Sequence, residues 1–116
     1  MFSLTTSDQF LLYRRVTDFR KGFDGLCGLV RNELDRDPTS GEVFVFVNRT
    51  RNRIKLLQWQ SGGFVLYYKR LENGTIALPN LSSQENSCSL SWSDLVMMIE
   101  GISVEKLVRQ TRYQIS

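Results

Sequence analysis

The 116-residue chain has no histidine, two cysteines (Cys27 and Cys88) and two prolines. A structural zinc site wants four Cys or His ligands at motif spacing, which two distant cysteines do not supply. The lack of histidine removes Ser-His-Asp and Cys-His nucleophilic catalysis. No apolar run approaches the roughly 18 residues of a membrane span. The opening MFSLTTSDQF has neither the basic start nor the long apolar stretch of a signal peptide. These absences predict a cytoplasmic chain with reduced, buried thiols. Negative charge is missing from one long stretch: between Glu42 and Glu72 there is no Asp or Glu.

That stretch carries Arg49, Arg51, Arg53, Lys55, Lys69 and Arg70, a charge of +6. The whole chain is only +3, so the remainder sums to −3. Segregation of this kind makes a local field that the net charge hides. With 41% hydrophobic and 23% charged residues the composition is otherwise that of a globular protein with a real core. The length suits one domain spanning 1–116, with a core of about 10–101 and a helical tail over 103–116.

Turn chemistry and periodicity predict an α+β fold. Phe10–Val16 reads as a short strand, after which Thr17 or Asp18 caps a helix. Phe23, Leu26, Cys27, Val30 and Leu34 share one face at helical spacing. Gly22, Gly25 and Gly28 recur at every third position. Close packing of the helix on a sheet explains them better than a phosphate loop, because GFDGLCG matches no such motif. Asp37 before Pro38, with Ser40-Gly41, ends the segment. Four short strands follow, Val43–Val47, Arg53–Trp59, Phe64–Leu71 and Thr75–Leu78, broken at NRTRN, QSGG and ENG. That spacing predicts an antiparallel meander of four to five strands, with Ser87–Leu90 as the fifth. Ser91, with Asp94 three residues on, opens a second helix striped by Leu95, Met98 and Ile99 and closed by Gly101. The Met97-Met98 pair reads as core filling. A last helix is predicted over Val104–Arg112, its basic face solvated.

In such a meander the third strand returns Lys69 and Arg70 to the end that holds Arg49, Arg51 and Arg53. Arg53 then falls opposite Arg70, or opposite Lys69 after a one-residue slip. Like charges paired across strands are destabilising. Alternation sets Arg53 and Lys55 on one sheet face. Cations gathered against their own repulsion suit a polyanion, and duplex DNA offers one phosphate charge per ~1.7 Å of axis. Arginine adds a planar fork for phosphate or a guanine edge, and Trp59, Tyr67 and Tyr68 lie close enough in sequence to stack on bases. Two other readings compete: a soluble edge that blocks aggregation, and an acidic protein partner.

Four motifs occur in order: TDFRKGFDGL (Thr17–Leu26), RDPTSGEVFVF (Arg36–Phe46), NRIKLLQW (Asn52–Trp59) and LYYKRLENG (Leu66–Gly74), with EGI at Glu100–Ile102. Together they resemble the TnpB-type accessory protein, the second open reading frame, of the IS66 family of bacterial insertion sequences. This is a different protein from the RNA-guided nuclease that shares the TnpB name. The resemblance runs from about Phe10 to Gly101. It implies a small helper encoded beside a separate transposase and needed for efficient movement of the element. No catalytic residue or cofactor carries over. The basic motif positions match at Arg20, Lys21, Arg53, Lys55, Lys69 and Arg70, while Arg49 and Arg51 occupy a turn expected to vary.

DNA strand transfer itself usually needs acidic residues holding two metal ions. Asp18, Asp24, Asp35 and Asp37 are the only carboxylates close enough to consider, and each has an ordinary explanation as a cap, a solvated helix position or a turn residue. The expectation is therefore a non-catalytic, metal-free transposition factor contacting DNA through Arg20, Lys21, Arg49, Arg51, Arg53, Lys55, Lys69 and Arg70. The alternative is an adaptor that touches only protein. On this reading, charge reversal at Arg53 and Lys55 removes DNA binding without unfolding the chain.

Overall fold

A computed structural model describes residues 4–78 and 85–100. The elements run β1 (Phe10–Tyr13), α1 (Phe23–Asn32), β2 (Val43–Val47), β3 (Arg53–Gln60), β4 (Gly63–Arg70), β5 (Ser87–Leu90) and α2 (Trp92–Glu100). The strands form one sheet in the order β4-β3-β2-β1-β5. The fold is α+β, as the sequence predicts.

The meander is real but shorter than expected. It consists of β2, β3 and β4, all antiparallel. β1 lies parallel to β2, with Phe10 beside Val43, and β5 runs antiparallel to β1 on its other side. The sheet is therefore mixed. A parallel neighbour needs a crossover, which α1 provides between β1 and β2. The reason is legible afterwards: FLLY is buried at all four positions, like VFVFV, so both belong in the middle of a sheet covered on both faces. Thr75–Leu78 is not a strand. Ile76, 1% exposed, plugs the core, and its N–H donates to the Arg51 carbonyl (2.6 Å). The strand over Phe10–Val16 stops at Tyr13, leaving Val16 54% exposed.

Strand alternation divides the core in two. Val43, Val45 and Val47 meet Ile54, Leu56, Ile76, Leu95 and Met98 on the α2 face. Phe44 and Phe46 meet Leu26, Cys27, Val30 and Leu57 on the α1 face. Burial of these side chains, at roughly 1.5–3 kcal/mol each, is the main force holding the sheet between its helices. Ser61 (φ 50°) and Gly62 (φ 85°) make the tight turn after Gln60↔Gly63, both central residues having the positive φ of a type I′ hairpin.

The start of α1 differs from expectation. Gly22 precedes it without any side-chain cap. Thr17 is buried, and Asp18 instead accepts the Arg20 N–H (2.9 Å) in an Asx turn. Phe23 is 45% exposed rather than core. Nothing lies within 4 Å of where a Cβ on Gly22 or Gly28 would sit, so the sheet does not require those glycines. At Gly25 a Cβ would stand 2.9 Å from the Lys21 Cβ, so the lysine stem occupies that space. The α2 cap matches the prediction: Asp94 N–H donates to Ser91 Oγ (3.0 Å) and Ser91 N–H to Asp94 Oδ2 (3.2 Å). Leu95 and Met98 are buried beneath it. Gly101 and the helix expected over Val104–Arg112 lie outside the described residues.

Candidate nucleic-acid interface

The β2–β3 connection builds the basic end. Asn48 organises it: its Oδ1 accepts the N–H groups of Asn52 and Arg53 (3.0 Å each), and its Nδ2 donates to Thr50 Oγ1 (3.1 Å) and Asn52 Oδ1 (2.7 Å). Arg51 takes a left-handed backbone (φ 57°), which costs a side-chain-bearing residue about 1–2 kcal/mol. Arg49 and Arg51 are exposed, and neither pairs with a carboxylate among the described residues.

The sheet register places Arg53 directly across from Arg70. The Arg53 guanidinium donates to Tyr68 Oη (3.2 Å), whereas Arg70 donates to Glu72 Oε1 from Nε (3.2 Å) and Nη2 (3.0 Å). The Arg70–Glu72 pair is exposed and only partly offsets the clash. Lys69 sits across from Ile54, on the α2 face, so it does not share a surface with Arg53. There it borders a small apolar pocket of about 200 Å³ with Ile54, Leu56, Tyr67 and Ile99.

Lys55 corrects the expectation most. It is on the Arg53 face but only 4% exposed. Its Nζ donates to the carbonyls of Phe19 and Lys21 (2.9 Å each) and lies 4.7 Å from the Phe19 ring centroid and 5.1 Å from that of Tyr68. The two rings meet edge to face at 5.8 Å. An ammonium spent on two carbonyls and two π faces is a structural cation and has nothing left for a phosphate. Charge reversal there would place a carboxylate against two carbonyl oxygens, so it would not leave the fold intact.

Through Lys55 the sheet pins the Phe19–Lys21 segment. Lys21 is exposed beside it. Arg20 forms a bidentate pair with Asp18, with contacts of 2.6–3.1 Å. The Arg20 guanidinium, followed by the Arg20 backbone N–H, holds the Asp18 carboxyl down to about 2. Asp37 is likewise lowered, first by the Thr39 N–H and then by its hydroxyl. Both carboxylates are thus engaged locally. No group of three metal-ligating side chains occurs among the described residues.

The two basic segments face each other across an open cleft of about 620 Å³. Val16, Thr17, Asp18, Phe19 and Arg20 form one wall, and Asn48, Arg49, Thr50 and Arg53 the other. With Asp18 offsetting Arg20, the lining carries a net +2 (three arginines, one aspartate). The structure thus gathers Arg20, Arg49 and Arg53 around one cleft, with Arg51 in the adjoining turn and Lys21 and Arg70 at its flanks. It buries Lys55 and turns Lys69 away. Of the expected stacking aromatics only Tyr68 is close. Trp59 packs on Phe64 at the far end of β3 (4.9 Å), and Tyr67 Oη accepts from Gln60 (3.2 Å).

Sequence reasoning missed Phe19, Thr17 and Asn48. Phe19 and Thr17 belong to a loop whose return to β3 no local pattern shows. Asn48 had a signal, since an Asn opening a hairpin connection commonly bonds its own turn.

This architecture can be set beside known families. The model described as IS66 Orf2 like protein matches residues 8–109. The chain belongs to that family. A relative named uncharacterized protein y4jC, from Sinorhizobium fredii, is 29% identical over 93 residues, covering 80% of this chain and 78% of its own. A second from the same organism, uncharacterized protein y4hO, is 33% identical over 87 residues, covering 74% and 73%. No solved structure matches. Family membership gives this IS66 Orf2-like chain a transposition-associated accessory role. No helix among its described residues is long and apolar enough to cross a membrane.

Proposed function

We propose that this IS66 Orf2-like protein is a non-catalytic accessory factor that works in the cytoplasm, binds DNA through the basic end of its β2–β3–β4 hairpins and assists the transposase encoded by the same element. The observation that carries this reading is the Arg53↔Arg70 pairing beside Arg49 and Arg51. Four guanidiniums crowd one end, one of them on a left-handed backbone, and among the described residues the only carboxylate that forms a salt bridge with any of them is the exposed Glu72. Polyanion contact relieves that repulsion and releases counterions from the DNA.

With Lys55 buried and Arg20 paired, about four phosphates are within reach, which predicts log K falling with log salt at a slope of about −3 to −4. The test is a salt titration of duplex binding by the full chain, repeated with Arg49→Glu and Arg51→Glu. Both positions are exposed, so the variants should fold and should lose most of the binding. Unchanged affinity in both, with transposase still captured, would leave a protein-only adaptor that docks an acidic surface.

A further inference from the structure

We propose that the cleft between the Val16–Arg20 segment and the β2–β3 turn takes one unpaired nucleotide of a DNA strand, its base inside and its phosphate on Arg49 and Arg53. This deepens, and rests on, the DNA-binding reading above. Phosphate contact alone needs only a convex cationic surface, whereas this site is concave. Its volume of about 620 Å³ lies within the ~300–1,000 Å³ typical of small-ligand sites. A base within an intact duplex is stacked and cannot enter such a space.

The walls also carry chemistry that a phosphate does not use. Val16, 54% exposed, adds an apolar side chain to the lining of the cleft. Phe19 contributes an aromatic surface, held in place because Lys55 fastens its carbonyl and faces its ring. The Arg20 guanidinium is fixed flat by two-point contact with Asp18, which makes it a plane on which a base can stack. Thr17 is 2% exposed, and its hydroxyl has no hydrogen-bond partner among the described residues. A buried hydroxyl without a partner costs stability, and Thr17 is one of the residues that line the cleft, so a base edge held there is a candidate for the missing partner. Arg49 and Arg53, opposite, supply the net +2 for the flanking phosphate.

The experiment compares three fluorescent probes on the full-length protein: a short single strand, an abasic strand of the same length, and a fully paired duplex. The base-bearing strand should bind about tenfold more tightly than the abasic one, the order expected from stacking a single base. Val16→Asn keeps the charge and alters an exposed side chain. It should weaken the base-bearing strand severalfold and leave the duplex unchanged. Thr17→Val removes the unpartnered hydroxyl at constant shape. It should raise the melting temperature or leave it unchanged, yet weaken the same strand. Equal affinity for the base-bearing and abasic strands, with duplex binding intact, overturns the nucleotide site alone. Absence of salt-dependent binding to any probe overturns the DNA-binding reading together with it.

Discussion

Replacing Lys55 with methionine separates a structural cation from a DNA contact. The substitution keeps the length of the stem and removes the ammonium. Two charge-assisted hydrogen bonds to the Phe19 and Lys21 carbonyls are lost, each worth about 1.5–3 kcal/mol. Two ring contacts go with them, at about 0.5–2 kcal/mol each. Opposing this, the buried ammonium need no longer be stripped of water. The carbonyls it served also belong to a half-buried and an exposed residue, and water can reach them again. The net destabilisation we expect is about 2–4 kcal/mol. At about 4 °C per kcal/mol for a domain of this size, the melting temperature should fall by roughly 8–16 °C. Thermal unfolding by circular dichroism reads that number. At a temperature where the variant is folded, the salt slope of duplex binding should match that of the wild type. A melting temperature within about 2 °C of wild type, combined with a slope shallower by about one phosphate, would refute the reasoning. It would mean that the Lys55 ammonium reaches DNA and that its contacts with the Phe19 and Lys21 carbonyls do not hold the loop.

Three further outcomes follow from the same geometry. Asp18→Asn releases Arg20 and raises the cleft charge from +2 to +3, so duplex binding should tighten and its salt slope steepen by about 0.9; an unchanged slope in an anisotropy titration would show that Arg20 does not face the DNA. The Asp18 carboxyl is held at about 2, below its ordinary 3.8; since a depressed pKa means that the pair's contribution is complete above the ordinary value and lost as pH falls through the lowered one, NMR titration of that carboxyl should show no midpoint above pH 3.8, and a midpoint at or above the ordinary value would refute the pair. Asn48→Ala strips the turn of four side-chain hydrogen bonds, two of them to the backbone, and should cost about 1–3 kcal/mol in urea unfolding while loosening the Arg49–Arg53 geometry and weakening DNA binding.

How much of this could be read without coordinates depends on the range of the interaction. Short-range patterns sufficed for α2, whose Ser91–Asp94 cap and Leu95–Met98 stripe span one or two turns. They also sufficed for the β2–β3–β4 meander, because hairpin turns fix register over a few residues. That register was enough to narrow the residue across from Arg53 to Arg70 or Lys69, and the structure has Arg70 there. The same local reasoning failed at Thr75–Leu78, where β-like residues form no ladder and Ile76 is drawn into the core. It failed again at Thr17 and Asp18, where a residue suited to capping is committed to a different turn.

The sequence by itself determined the separation of charge, the alternating apolar strands and the family to which the chain belongs, because each is a property of residue order. The tertiary structure alone decided which cations remain available. A parallel β1 inserted beside β2 brings the Thr17–Gly22 loop over the end of β3. That loop encloses Lys55 between two carbonyls and two rings, and it forms one wall of a cleft whose other wall is a distant hairpin turn. Alternation assigns a side chain to a face of the sheet. Whether that face meets solvent or protein depends on contacts between residues more than 30 positions apart, and no local pattern in the chain records them.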